Sequence, residues 1–76
     1  MTQTRYSLNR AIELRESFRS EGYQPFERYF DSEGLLHIKL DHHNHNRIEI
    51  VVNSTGASIY KNQLLKKSEI FPSNAL

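Results

Sequence analysis

The sequence predicts an α+β fold: an N-terminal helix packed on one face of a four-stranded antiparallel meander, followed by a short irregular or helical C-terminal tail. Three observations predict it. Apolar residues recur at helical spacing up to Gly22 and alternate after it, which marks a change from helix to strand. Two links between the alternating runs share one form, Asp31-Ser32-Glu33-Gly34 and Asn53-Ser54-Thr55-Gly56. With those links as hairpins, unlike charges fall opposite one another on one side of the sheet.

The helix is expected over about residues 8–21, with Ser7 as N-cap and Gly22 just past its end. Leu8, Ala11, Ile12, Leu14 and Phe18 share one side of it. Arg15 falls within that arc and Arg19 near its edge, both with their charged heads in water.

Strands are expected at about 24–31, 35–41, 47–53 and 57–62. Each glycine-ended link reads as a three-residue loop closed by a glycine in the left-handed region. The middle link, His42-His43-Asn44-His45-Asn46, is a five-residue loop of turn formers. Pairing Asp31 with Leu35 opposes Phe26 to Leu40, Arg28 to Ile38 and Phe30 to Leu36. Pairing Asp41 with Arg47 opposes Leu40 to Ile48, Ile38 to Ile50 and Leu36 to Val52. Pairing Asn53 with Ala57 opposes Ile50 to Tyr60 and Val52 to Ser58. These rows form one apolar face for the helix to cover.

On the opposite face one row reads Glu27, Lys39, Glu49, Lys61, alternating in sign across all four strands. Arg28 is the exception on the apolar face. It lies on an edge strand, where an inward charge has room to escape sideways and discourages edge-to-edge pairing; a bulge near Glu27 that turns the strand over is the alternative. In the tail from Gln63, Asn62 is placed to cap a short helical turn holding Leu64 and Leu65, and Pro72 stops any regular element.

Seventy-six residues make a single domain, 1–76, in which apolar residues are 37% of the chain. Without a staple, such a core supplies roughly 3–5 kcal/mol. There is no cysteine, so disulfides and thiolate metal sites are excluded, and a reducing compartment fits. The opening residues are polar and no apolar run approaches the ~20 residues of a membrane span, so a cytoplasmic protein without membrane contact is the default. A net charge of +1 is that of neither a dedicated nucleic-acid binder nor an acidic tail.

Four histidines are the conspicuous chemistry. His42, His43 and His45 share one loop beside Asp41, and imidazoles ligate zinc, nickel or copper. Neighbours in an extended loop point apart, and no ligand on a second element joins them, so the reading is a solvated loop with no metal and no cofactor. His37 is held on a strand between Tyr29 and Val51. That pair suits a general base and proton donor in phosphodiester cleavage, and equally an ordinary cross-strand contact.

A strip of Tyr29, His37, Val51 and Ile59, with Leu35 and Ala57 beside it, crosses the middle of the outer face. Strips of this kind are covered by the protein's own tail or by another molecule. The reading is therefore a small non-enzymatic binding or regulatory module that docks on a protein partner, or on a second copy, through that face or the tail. Tyr29, His37, Val51, Ile59 and Leu35 would supply contact area, and Glu27, Lys39, Glu49 and Lys61 would set orientation. The alternative is a nucleic-acid-binding protein or small endoribonuclease using His37 and the arginines, Arg5, Arg10, Arg15 and Arg19.

One resemblance bears on that alternative. A helix, then Gly22-Tyr23, then strands with a histidine on the second, faintly resembles HicA-type toxin ribonucleases over about residues 8–70. The resemblance implies ribonuclease chemistry at His37. That family carries its histidine in a Gly-Ser-His context, where this chain has Gly34-Leu35-Leu36-His37.

Overall fold

The computed structural model describes residues 3–73. One helix, α1 (Arg5–Arg19), packs on an antiparallel sheet of five strands in the order β1-β2-β3-β4-β5. The strands are β1 (Gln24–Phe30), β2 (Leu36–Asp41), β3 (Arg47–Val52), β4 (Gly56–Lys61) and β5 (Leu64–Ile70). The α+β class holds, and the strand count rises from four to five. No helix among the described residues is long and apolar enough to cross a membrane.

The helix starts one turn earlier than expected, because Thr4 rather than Ser7 caps it. Thr4 Oγ1 accepts from the Ser7 N–H at 3.0 Å and the Thr4 N–H donates to Ser7 Oγ at 2.8 Å, a reciprocal capping box. Ser7 is fully buried, and its hydroxyl also meets Gln3 Oε1 at 2.9 Å. Gln3 in turn donates from Nε2 to the carbonyls of Gly34, 3.1 Å, and Val52, 2.7 Å. The helix entry is thereby tied to the β1–β2 loop and to the end of β3. At the other end the chain turns through Gly22, whose φ is +99°, onto the buried Tyr23.

Ala11 and Leu14 carry the buried side of α1, with Phe18 partly buried beside them. They cover Leu36, Ile38 and Leu40 of β2, Ile48, Ile50 and Val52 of β3, and Ala57 and Ile59 of β4. Each fully buried aliphatic side chain contributes about 1.5–3 kcal/mol. Leu8 and Ile12, expected on the same stripe, lie at its margin and stay exposed.

The β1–β2 and β2–β3 registers are those the loops and charges predict. Arg28 opposes Ile38 and Phe30 opposes Leu36; Lys39 opposes Glu49 and Asp41 opposes Arg47. A bulge between Pro25 and Glu27 does occur, but it leaves Arg28 on the helix side. Its effect falls on Phe26, which yields its place opposite Leu40 to Pro25 and packs under the Arg47 guanidinium at 4.6 Å.

The β3–β4 hairpin differs from expectation by one residue. Val52 pairs with Ala57, Ile50 with Ile59 and Glu49 with Tyr60. Gly56 is the first residue of β4, not a left-handed loop closure, and the turn is held instead by Asn53 Oδ1, which accepts from the Thr55 and Gly56 N–H groups at 2.8 and 2.9 Å. The shift turns β4 over, so Ile59 is core and Tyr60 faces outward.

The expected helical turn after Asn62 is a strand. Asn62 and Gln63 both have positive φ, +51° and +70°, and form the two-residue turn of a tight hairpin. β5 runs back along β4 with a bulge at Lys66, so that Lys67 opposes Ile59 and Leu65 opposes Tyr60. Phe71 then tucks under the helix start, edge-on to Tyr6 at 5.2 Å between ring centres. The end of the expected irregular or helical tail, residues 74–76, lies outside the described residues.

Candidate protein-binding face

The helix covers one face of the sheet, and β5 lengthens the sheet instead of folding across the other. The outer face is therefore bare among the described residues. Tyr29, His37 and Val51 lie side by side on it, because they oppose one another in the two registers that the sequence predicts. Leu35 sits at the margin of this row. Three of the expected members leave it. Ile59 and Ala57 are in the core beneath the helix, and Lys61 opposes Ile48 on the helix side of the sheet, all through the one-residue shift of β4. Ser58 and Tyr60 take their places.

His37 is the organising residue of the face. Its Nε2 lies 2.8 Å from Asp31 Oδ2 and its Nδ1 2.9 Å from Glu49 Oε2. Its ring stacks on Tyr29 with centres 4.6 Å apart and planes inclined by 4°. Burial opposes charging of the ring, but the hydrogen bonds to both carboxylates and their negative charge outweigh it, and the His37 pKa is raised. The bond to His37 is also the main cause that lowers the Asp31 pKa, helped by the Leu35 and Glu33 N–H groups. The three side chains form a carboxylate–imidazole–carboxylate bridge. With both ring nitrogens bound to carboxylates, neither faces a substrate as a general base.

Glu27 pairs with Lys39 at 3.3 Å, as the charge row predicts. Glu49 does not complete the row, since its carboxylate turns to His37. Asp31 was the member missed by sequence reasoning. It is diagonal to His37 across the β1–β2 hairpin, within reach of a long side chain on the same face.

Toward β5 the face becomes apolar. Leu35, Val51, Tyr60 and Ile70, with Ser58 and Ser68 between them, line a trough of about 520 Å³. Ile70 is 89% exposed and Leu65 56%.

The remaining candidates are dispersed. Arg10 is bound to Glu69 at 2.7 Å and Glu13 at 3.0 Å, and Arg15 and Arg19 both hold Glu16. These arginines do not converge on a free basic patch. In the histidine loop the His42 ring packs edge-on to Tyr23, and its Nδ1 accepts from the Asn44 N–H at 3.1 Å. Among the described residues no group of three or more His, Asp and Glu side chains is arranged to hold a metal ion. No protein-family model, no curated protein and no solved structure matches the chain.

Proposed function

We propose that this chain is a small protein-binding module, without catalysis of its own, that receives a protein partner on the bare face of its sheet. One observation carries this reading: a trough of Leu35, Val51, Tyr60 and Ile70 lies open beside the Asp31–His37–Glu49 bridge. Apolar surface next to fixed charge is the composition of a binding patch, where contact area gives affinity and charge sets orientation. The charged half of the face holds Glu27, Asp31 and Glu49 against Lys39 and His37. It favours a partner that offers an apolar protrusion for the trough and a basic group beside the carboxylates. The same carboxylates repel a phosphate backbone, and most helix arginines are already paired, so protein is favoured over nucleic acid.

A photocrosslinking side chain placed at Ser58, in the trough, should give a discrete adduct in native lysate. The same group at Glu13, on the exposed side of α1, should not. Val51→Asp should abolish the Ser58 adduct while leaving the fold intact. Equal labelling from both positions, or an adduct indifferent to Val51→Asp, would refute the reading. Light scattering on the purified chain separates a second copy from a different partner.

A further inference from the structure

We propose a second docking site on the opposite side of the sheet: the groove between α1 and β1 receives an extended segment of a protein partner, with a carboxylate flanked by apolar side chains, which adds to the free edge of β1. The site is independent of the outer face.

The groove has the makings of such a site. Leu8 and Ile12 of the helix and Phe30 of β1 border a hollow of about 270 Å³ floored by Leu36 and Ile38. These rims stay wet, with Phe30 57% and Ile12 48% exposed. A helix contributes one stripe, and α1 lays its own chiefly on β3; it meets β1 as well, yet every residue of β1 stays exposed.

Two guanidiniums stand in this apolar hollow, Arg15 from the helix and Arg28 from the strand, and no carboxylate lines it. Arg15 reaches out to Glu16 with one terminal nitrogen, but its Nε is buried without a hydrogen-bond partner. Arg28 has no ion pair or hydrogen bond from its side chain among the described residues. Unspent guanidinium donors beside apolar surface call for a carboxylate that arrives with apolar neighbours.

The backbone specifies an extended peptide. The Asp31 N–H bonds the Leu35 carbonyl at 2.9 Å, toward β2. By the alternation of an antiparallel ladder, Tyr29 and Glu27 also turn their N–H and C=O groups inward, and Arg28 and Phe30 turn theirs to the open edge. The residues with free backbone groups are those whose side chains border the groove. An added strand would lay alternate side chains into it, the central one over Arg28.

A second copy of β1 does not suit this edge. A symmetric pair with both helices on one side must centre on a residue. Centring on Arg28 opposes Arg28 to itself, on Glu27 opposes Glu27 to itself, and on Tyr29 opposes Glu27 to Asp31. Each registers like against like.

The test is selection of random peptides of about ten residues, long enough for one strand with flanks, from a display library on the immobilised chain. Survivors should share an acidic residue with apolar residues two positions to either side. Their binding, followed by fluorescence anisotropy, should weaken about tenfold or more with Arg28→Glu. It should recover when the peptide's acid is replaced by lysine. Backbone amide signals of Arg28 and Phe30 should shift on binding, and Val51→Asp should change nothing. Survivors without an acidic preference, binding indifferent to Arg28→Glu in a chain shown by NMR to be folded, or no survivors at all would overturn the proposal.

Discussion

Replacing His37 with glutamine tests the bridge on the outer face and has a calculable sign. The His37 side chain is 16% exposed, and Asp31 and Glu49 are 29% and 31% exposed. The two contacts are thus sheltered enough to outweigh ordinary surface pairs, which contribute close to nothing. Hydrogen bonds from a charged ring to carboxylates are worth roughly 1.5–3 kcal/mol each before the cost of burying the ring. Partial exposure brings the net loss in His37→Gln to about 1–2 kcal/mol at pH 6. Because the folded-state pKa of His37 is raised, this stability is complete below the unfolded value of about 6.5 and is lost as pH rises through the folded pKa. The loss cannot exceed about 1.4 kcal/mol per pH unit for one proton. Asp31 acts in the opposite sense: its lowered pKa adds stability above its ordinary value, lost as pH falls through the folded one. Urea titrations of both proteins from pH 5 to pH 9 measure the difference, in which contributions from the other histidines cancel. The gap between wild type and His37→Gln should be full from pH 5 to about pH 6 and should close toward pH 9. Parallel curves across that range would show that His37 is not held charged by its two neighbours.

Three further substitutions probe the elements that hold these surfaces. Gly56→Ala would place a Cβ against the Glu69 carbonyl of β5, so it should cost about 1–3 kcal/mol in thermal unfolding and raise hydrogen exchange in β5 first. Thr4→Ala removes the acceptor for the Ser7 N–H and should cost about 1 kcal/mol in urea unfolding. Gln63→Gly relieves a positive φ of 70° in the Asn62-Gln63 turn and should stabilise by about 0.5–1 kcal/mol, seen as a higher Tm.

What could be read from the sequence depended on whether a residue's local role matched its usual one. Asp41 against Arg47 and Lys39 against Glu49 pinned the central hairpin, since a slip of one residue would mix charged and apolar faces. Gly34 has the positive φ of a loop closure, +81°, and its hairpin followed. Gly56 occurs in the same four-residue pattern for another reason: the backbone of β5 passes where a side chain would stand. No local pattern distinguishes these two uses, because the second depends on a strand that comes later in the chain. That one ambiguity moved Ile59 and Lys61 to the wrong side of the sheet and hid Tyr60 from the outer face. β5 itself escaped notice because Leu64-Leu65-Lys66-Lys67 does not alternate; the bulge at Lys66 absorbs the irregularity. Of the candidate site, Tyr29, His37, Leu35 and Val51 were legible as neighbours. The partners of His37 were not, since the charge row made Glu49 a mate for Lys39 while the imidazole competes for it at closer range.

The two borders of the sheet are unlike, and this limits how the molecule can assemble. β5 ends the sheet with Lys66 on a bulge and Lys67 beside it, a border that resists a newcomer, whereas β1 from Glu27 to Phe30 is regular. Polymerisation by strand exchange needs both borders to be receptive, one to donate and one to accept. With a single receptive border, strand addition stops after one ligand, giving one-to-one stoichiometry and no fibre.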